Sequence, residues 1–186
     1  MTRDEALALV HEHVQNQNLR KHHYAVEAAM RALARYFKED EEIWGIVGLV
    51  HDADYEETGD DFAKHTKLTA QWLEEKGASK EITNAVLSHN YAHAGNNPPA
   101  NKMEWALFCC DELTGLIVAT TLVRPERKIQ LVTAKNVLKK FPEKAFAKGV
   151  KREQIGMCEE KLGIPLPQFV EIVLEGMKGI DKELGL

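Results

Sequence analysis

The chain has 186 residues, of which 44% are hydrophobic and 28% charged, and its formal net charge is −5. This composition is typical of a soluble globular protein and excludes an intrinsically disordered chain. The longest uninterrupted apolar run, residues 43–50, is too short to span a bilayer, and the N-terminus lacks the apolar segment of a signal peptide. We therefore expect a cytoplasmic protein that does not associate with membranes.

The charge is distributed unevenly along the chain. Residues 124–152 contain ten Lys or Arg and two acids and so carry +8, which leaves −13 on the rest of the chain. A mildly acidic protein with one basic segment is not expected to bind nucleic-acid polymers, but such a segment can hold a small anionic ligand. The alternative is that these residues form a solvated helical face.

Apolar residues recur at helical spacing nearly throughout the chain, and no segment alternates convincingly as a strand does. Thr2 followed by Glu5 is a capping-box pattern and predicts the start of a first helix. A third helix, apolar on nearly all sides, is expected to be central and buried. The later helices predicted before Pro125 cover approximately residues 18–37, 41–51, 61–76, 80–90 after Ser79, and 102–121 after Asn101.

Beyond Pro125 the pattern predicts three shorter helices, separated by Pro and Gly residues. No linker or low-complexity segment divides them from the preceding helices. The sequence therefore predicts an all-α protein with one domain over residues 1–186. Residues 122–186 form a C-terminal helical extension of that domain.

His51 and Asp52 lie together at the end of the most apolar helix. A charged carboxylate there is costly unless a cation or another polar partner compensates it. Imidazole and carboxylate ligands together suit Fe, Mn, Co, Ni or Zn. The pair alone is weak evidence, because a His-Asp dipeptide also arises by chance.

Two further polar groups occupy core-facing helical positions. His22 shares a helical face with Ala25, Val26 and Ala29, and Asp111 lies on another apolar helix. His23 is the nearest rival to His22, since it lies three residues from Val26. A buried hydrogen-bonded network without metal is the alternative, but it would bury two carboxylates without a cation.

This order of His22, then His51-Asp52, then a distant Asp111 resembles the HD-domain superfamily of metal-dependent phosphohydrolases. The resemblance covers about residues 18–121, which would form the metal-binding core. His65 and His89 follow the order found in superfamily members with two metal ions, although each could instead be a surface or capping histidine. In that arrangement His22, His51, Asp52 and Asp111 hold one ion, and Asp52 bridges to a second ion held by His65 and His89.

The resemblance implies hydrolysis of a nucleotide or another small phosphorylated metabolite by a metal-bound hydroxide. The implied cofactor is one or two divalent ions of Fe, Mn, Co, Ni or Zn, with Mg also allowed. Asp52 would be a catalytic residue. Two alternatives remain, an HD-fold di-iron oxygenase and a non-catalytic regulatory module with a vestigial site.

The residues after His-Asp depart from the common pattern of this superfamily. Many members have Gly and Lys there, whereas this chain has Ala53, Asp54 and Tyr55. Asp54 is therefore a candidate catalytic acid or base, or a residue that orients a ligand. The missing cation is expected from the basic segment, with Arg124, Lys135 and Lys139 as the predicted substrate-binding residues.

Other residues capable of chemistry are expected to be structural. The remaining histidines, His11, His13 and His93, are predicted to be solvated. The cysteines do not form a disulfide framework or a spaced zinc ligand set, and Cys109-Cys110 is predicted to pack in the core.

Overall fold

The computed structural model describes residues 1–59 and 61–186, and its regular secondary structure in these residues is entirely helical. This confirms the predicted all-α class. The helices are α1 (Arg3–His13), α2 (Gln17–Phe37), α3 (Glu41–Val50), α4 (Tyr55–Thr58), α5 (Lys67–Glu75), α6 (Lys80–His89), α7 (Tyr91–Ala94), α8 (Lys102–Leu122), α9 (Ala134–Lys140), α10 (Arg152–Leu162), α11 (Leu166–Lys178) and α12 (Asp181–Leu184), with a 3₁₀ turn at Ile129–Leu131.

Side-chain caps fix the starts of several helices. Thr2 and Glu5 form the predicted capping box at α1, and the Asn101 side chain accepts a hydrogen bond from the Glu104 N–H at the start of α8. Asp40 caps α3 in the same way. Ser79 precedes α6 as predicted, but its side chain makes no capping hydrogen bond.

The centre of the molecule is formed by α2, α3 and α8, which pack against one another. Every residue of α3 from Trp44 to Val50 is buried, as its apolar sequence predicts. Gly48 permits the close approach of α3 to α2, because a Cβ at this position would lie 2.7 Å from the Val26 carbonyl oxygen. The ends and faces of these three helices hold most of the candidate ligands.

The helices of the extension pack on this centre. Helix α10 lies against α8, and α11 lies against α2. A Cβ at Gly176 of α11 would lie 2.7 Å from the Ala28 carbonyl oxygen, so α11 also approaches α2 closely. The extension therefore covers two of the three central helices.

One predicted boundary is wrong by about two turns. Helix α5 begins at Lys67 and not near Asp61, because residues 62–66 form turns in which the Asp61 carbonyl accepts from the N–H groups of Lys64 and His65. Thr66 then adopts a left-handed conformation with φ of 69°. A β-branched residue rarely has a positive φ, so the chain is strained immediately after His65.

Helix α8 is long and apolar enough to cross a membrane by length and composition alone, but 61% of its most apolar stretch is buried inside the protein. Its burial is that of a core helix. The cytoplasmic location predicted from the sequence stays a prediction.

Candidate metal centre

Six side chains from five parts of the fold converge on one point. His22 comes from α2, His51 and Asp52 follow α3, and Asp111 lies in the middle of α8. His65 lies in the turns before α5, and His89 is the last residue of α6. The structure therefore brings together all six residues that the sequence predicts as metal ligands.

The first group of potential ligands is His22, His51 and Asp111, whose ligand atoms lie within 4.8 Å of one another. Asp111 Oδ1 is 2.9 Å from His22 Nε2 and 3.6 Å from His51 Nε2. One carboxylate oxygen thus faces two imidazole nitrogens from separate helices.

The second group is His51, Asp52 and His89, and it shares His51 with the first. Asp52 Oδ1 lies 3.1 Å from His89 Nε2 and 3.3 Å from His65 Nε2, while Asp52 Oδ2 lies 3.6 Å from His51 Nε2. His65 is buried and does not point to solvent. The two oxygens of Asp52 therefore face different imidazoles, an arrangement suited to a carboxylate that bridges two ions.

The Nδ1 atoms explain why the rings point inward. His51 Nδ1 lies 2.8 Å from the Gly48 carbonyl oxygen, and His65 Nδ1 lies 2.9 Å from Asp54 Oδ1. Since these oxygens are acceptors, each Nδ1 carries a proton, and Nε2 is the ring nitrogen left to bind a metal. The Thr114 hydroxyl lies 3.5 Å from His22 Nδ1 and donates to the Asp111 carbonyl, so it supports the same orientation of His22.

Three buried atoms of the candidate ligands have no hydrogen-bond partner among the described residues, namely His51 Nε2, Asp52 Oδ1 and His89 Nδ1. Leaving buried polar atoms unsatisfied is costly. A divalent cation would satisfy His51 Nε2 and Asp52 Oδ1, and a set of imidazole and carboxylate donors is the kind that Fe, Mn, Co, Ni and Zn prefer. The residues present therefore fit a transition-metal site.

The charges of the centre are strongly coupled. Burial alone would raise the pKa of Asp52, but the neighbouring imidazoles of His51 and His89 hold it well below its usual range. The pKa of Asp111 is lowered in the same way, chiefly through His22. Burial lowers the pKa of His65, but its contacts with Asp52 and Asp54 outweigh burial and raise the pKa to about 9. Both carboxylates are thus ionised at neutral pH, and a metal competes with protons for the imidazoles.

A family model described as HD domain matches residues 19–140, from α2 to α9. The chain belongs to the HD-domain family. Proteins of this family are generally metal-dependent phosphohydrolases that bind divalent metals, which agrees with the convergence of histidines and aspartates. The match also covers the first helix of the predicted extension. A comparison with curated proteins gives no match.

His23, the alternative to His22, belongs to neither of the two ligand groups found among the described residues. Its Nδ1 lies 2.8 Å from the Leu49 carbonyl oxygen, and the ring is buried between α2 and α3. Burial and the nearby His51 lower the pKa of His23 to about 3, so the ring is neutral at physiological pH. The choice of His22 from its helical face agrees with this geometry.

Asp54 is fully buried, and both of its carboxylate oxygens are engaged by the protein. Oδ1 accepts from His65 Nδ1, and Oδ2 accepts from the Thr69 N–H at 3.1 Å. The Thr69 hydroxyl in turn accepts from the Asp54 N–H at 3.0 Å. These contacts are those of a residue that orients His65. A role as catalytic acid or base stays an untested prediction that the contacts do not support.

A cavity of about 340 Å³ opens beside the candidate ligands. It exposes Asp52, His65, His89 and Asp111 of the ligand set, and its remaining walls are Tyr55, Phe62, Asn90, His93, Glu112, Gly149, Lys151 and Gln154. A larger cleft of about 550 Å³ between α1, α2 and α11 contains none of the ligands. Another cavity, of about 360 Å³, has His22 in its lining. The cavity of about 340 Å³, which four of the six ligands line, is therefore the candidate substrate site.

The predicted substrate-binding residues do not lie at this cavity. Arg124, Lys135 and Lys139 are absent from its walls. Arg124 lies 3.4 Å from Asn136 Oδ1, and Lys135 and Lys139 are exposed on α9. The physical reason is the length of α8, which continues about 16 Å beyond Asp111 at 1.5 Å per residue before the chain reaches Arg124. The structure gives these three assignments no support.

Sequence reasoning missed three cavity residues, Glu112, Lys151 and His93. His93 is exposed, as predicted for a solvated histidine, but its ring stacks on Phe62 with centroids 4.0 Å apart at the cavity wall. Lys151 belongs to the predicted basic segment, where nothing in the sequence separates it from nine other cations. Glu112 follows the candidate ligand Asp111 directly in the sequence, and this position could have indicated that it lies near the metal centre.

The cysteines lie away from the cavity walls. Cys109, Cys110 and Cys158 are buried as free thiols, and burial raises the pKa of Cys158 to about 11. They pack in the core, in agreement with the sequence interpretation.

Proposed function

We propose that this HD-domain protein is a metal-dependent phosphohydrolase that acts on a nucleotide or another small phosphorylated metabolite. The observation that carries the proposal is the pair of ligand groups that share His51 and include buried atoms without hydrogen-bond partners. Asp52, His89 and Asp111 of these groups line one cavity of about 340 Å³, a volume suited to a small compound.

Each side chain of the centre has a defined part in this proposal. His22, His51 and Asp111 would hold one divalent ion, and Asp52, His65 and His89 would hold a second or complete the first. A divalent ion at this place supplies Lewis-acid activation of water and neutralises charge on a phosphoryl group. Asp52 faces both ligand groups and the cavity, so it is the side chain best placed to take part in catalysis.

The shape of the site supports hydrolysis of a bound phosphate ester or anhydride. Four ligand side chains line the cavity, and Tyr55, Phe62 and His93 add aromatic surface to its lining. Aromatic surface can stack on a nucleobase or another flat group. The cavity therefore combines a cation-binding wall with a surface for the organic part of a substrate.

The test is a screen of the purified protein, loaded in turn with Mn, Mg, Co, Ni and Fe, for phosphate release from nucleotides and from p-nitrophenyl phosphate. We expect release with at least one metal, and a loss of at least about a hundredfold in His51→Ala, since His51 serves both ligand groups. His11→Gln alters a histidine outside the centre and should retain activity. Oxygen consumption by the iron-loaded protein without phosphate release from any substrate would overturn the proposal in favour of oxygen chemistry.

A further inference from the structure

The cavity beside the metal ligands is rich in negative charge. Asp52, Asp111 and Glu112 line it. Among the described residues that line it, Lys151 is the one Lys or Arg. A phosphorylated substrate brings further negative charge to this place. Metal ions at the centre would offset Asp52 and Asp111, and a further cation in the cavity would stabilise the remaining charge of the substrate.

Hydrogen bonds of the Lys151 backbone and of the next residue, Arg152, hold Lys151 beside the cavity. Its own N–H donates to Glu112 Oε2 at 3.0 Å, which ties the start of α10 to the residue after Asp111. The guanidinium of the next residue, Arg152, donates to the carbonyl oxygens of Phe141, Phe146, Ala147 and Val150. Arg152 thus holds the irregular segment 141–150 in place and thereby fixes the position of Lys151.

The ammonium group of Lys151 remains available to a ligand. Its Nζ contacts His93 Nε2 and lies 4.0 Å from Glu112 Oε1, a long contact for an ion pair, and the side chain is 40% exposed. Long contacts of partly exposed charges hold a side chain weakly. An ammonium group has three donors, so Lys151 can add or exchange a partner without breaking the backbone contacts that place it.

We propose that Lys151 binds the phosphate oxygens of the substrate and supplies the cation that is missing after the His-Asp pair. This inference rests on the proposed function and assigns the phosphate-binding residue of that site. It also divides the basic segment into two parts. Lys151 faces the cavity, whereas Lys144 and Lys148 are exposed in the same segment and absent from the cavity walls.

The experiment is a calorimetric titration of inorganic phosphate into the Mn-loaded protein at low ionic strength. We expect Lys151→Ala to weaken phosphate binding about tenfold or more, as the loss of a charge-assisted hydrogen bond predicts. Lys151→Arg should recover part of the affinity, because it retains the charge. Lys148→Ala, the matched control, should bind phosphate like the wild-type protein. Manganese content should be equal in all four proteins.

Equal phosphate affinity of Lys151→Ala and wild type would overturn the inference while leaving the proposed function intact. Failure of the wild type to bind any of Mn, Mg, Co, Ni and Fe would overturn the proposed function, and the same titration of the metal-free proteins would still decide on Lys151. Absence of phosphate binding by the wild type in both states would also overturn the inference. If Lys151→Ala does not fold, the titration uses Lys151→Gln instead, because Gln retains more of the side-chain stem. For any substrate that is hydrolysed, the variant should raise KM more than it lowers kcat.

Discussion

The position of the His65 ring depends on Asp54, a side chain that does not itself line the cavity. Asp54 accepts from His65 Nδ1 with one oxygen and from the Thr69 N–H with the other. Such contacts behind a ligand commonly influence metal affinity as strongly as some of the ligands do. The sequence alone does not distinguish an acid–base role of Asp54 from an orienting one. Its hydrogen-bond partner, His65, lies 11 residues away in an irregular turn.

We expect Asp54→Asn to weaken metal binding about 10- to 100-fold, since an amide offers one acceptor where His65 and Thr69 need two. The affinity can be measured by competition with a chelator. Asp61→Asn alters an exposed carboxylate in the same region and serves as the control. Unchanged affinity in Asp54→Asn would show that the ring is held by other contacts.

A second residue-scale expectation concerns acid stability and His23. The pKa of His23 is lowered from 6.5 to about 3 in the folded protein, chiefly by burial. Between these values the unfolded chain binds one more proton than the folded chain at this site, so stability falls as the pH drops below 6.5. His23 therefore lowers the free energy of unfolding by about 1.4 kcal/mol for each pH unit below 6.5, down to about pH 3.

His23→Asn tests this linkage, because an Asn amide can still donate to the Leu49 carbonyl oxygen but does not titrate. Urea unfolding of both metal-free proteins between pH 6.5 and pH 4 gives the slope of the unfolding free energy against pH. The variant should have a slope smaller by about one proton. Parallel curves for the two proteins would mean that His23 is not buried as a neutral ring.

At the scale of the elements, the packing of α3 on α2 places His51. Gly48 faces the α2 backbone at a distance that excludes a Cβ, and its carbonyl oxygen accepts from His51 Nδ1. The contact between the two helices and the orientation of the ligand therefore depend on the same residue.

Gly48→Ala should destabilise the protein by about 1–3 kcal/mol, because the added methyl group must push α3 away from α2. It should also lower metal affinity through displacement of His51. Gly156→Ala in α10 is the matched control, since a Cβ there meets no atom within 4 Å. This control should be neutral or stabilising by up to about 1 kcal/mol, as expected for Gly→Ala in a helix. Equal urea midpoints for the two variants would contradict the close approach.

At the scale of the molecule, the extension is part of the structure that surrounds the site. Helix α10 packs on α8, α11 packs on α2, and Lys151 at the start of α10 lines the cavity. The prediction of one domain over residues 1–186, with a core over 18–121, stays untested as a division of the chain. The packing of α10 and α11 favours a single cooperative unit.

Removal of residues 141–186 should therefore prevent cooperative folding, although the matched family region ends at residue 140. The truncation uncovers buried residues of α2 and α8, which would expose apolar surface to water. Thermal unfolding followed by circular dichroism should show one sharp transition in the full chain and a broad one in the truncated chain. A sharp transition with an unchanged midpoint would show that the extension is dispensable for folding.

The sequence predicted the helices well where local signals determine them. The Thr2–Glu5 box and the Asn101 cap mark starts that the structure confirms. The start of α5 was missed because turns and a left-handed Thr66 precede it, and neither has a strong pattern in the sequence. Lys151 could not be singled out, because its place depends on the Arg152 contacts and on Glu112, which is 39 residues away.

The candidate ligands were identified from polar residues on apolar helices and from the resemblance to HD domains. Local periodicity placed His22 and Asp111 on core faces, but their 2.9 Å contact joins helices that are distant in sequence. The prediction of Arg124, Lys135 and Lys139 as substrate-binding residues did not rest on a helical face or on any other geometric pattern. Charge density along the chain does not show which cation faces a site, since that depends on how the helices pack.

The most direct test of the metal centre is the metal content of the protein after reconstitution and gel filtration, measured by inductively coupled plasma mass spectrometry. The wild-type chain should hold one or two transition-metal ions, and His51→Ala should retain much less, because His51 belongs to both ligand groups. A wild-type protein that holds no metal, or a His51→Ala protein with the same content as the wild type, would contradict this account.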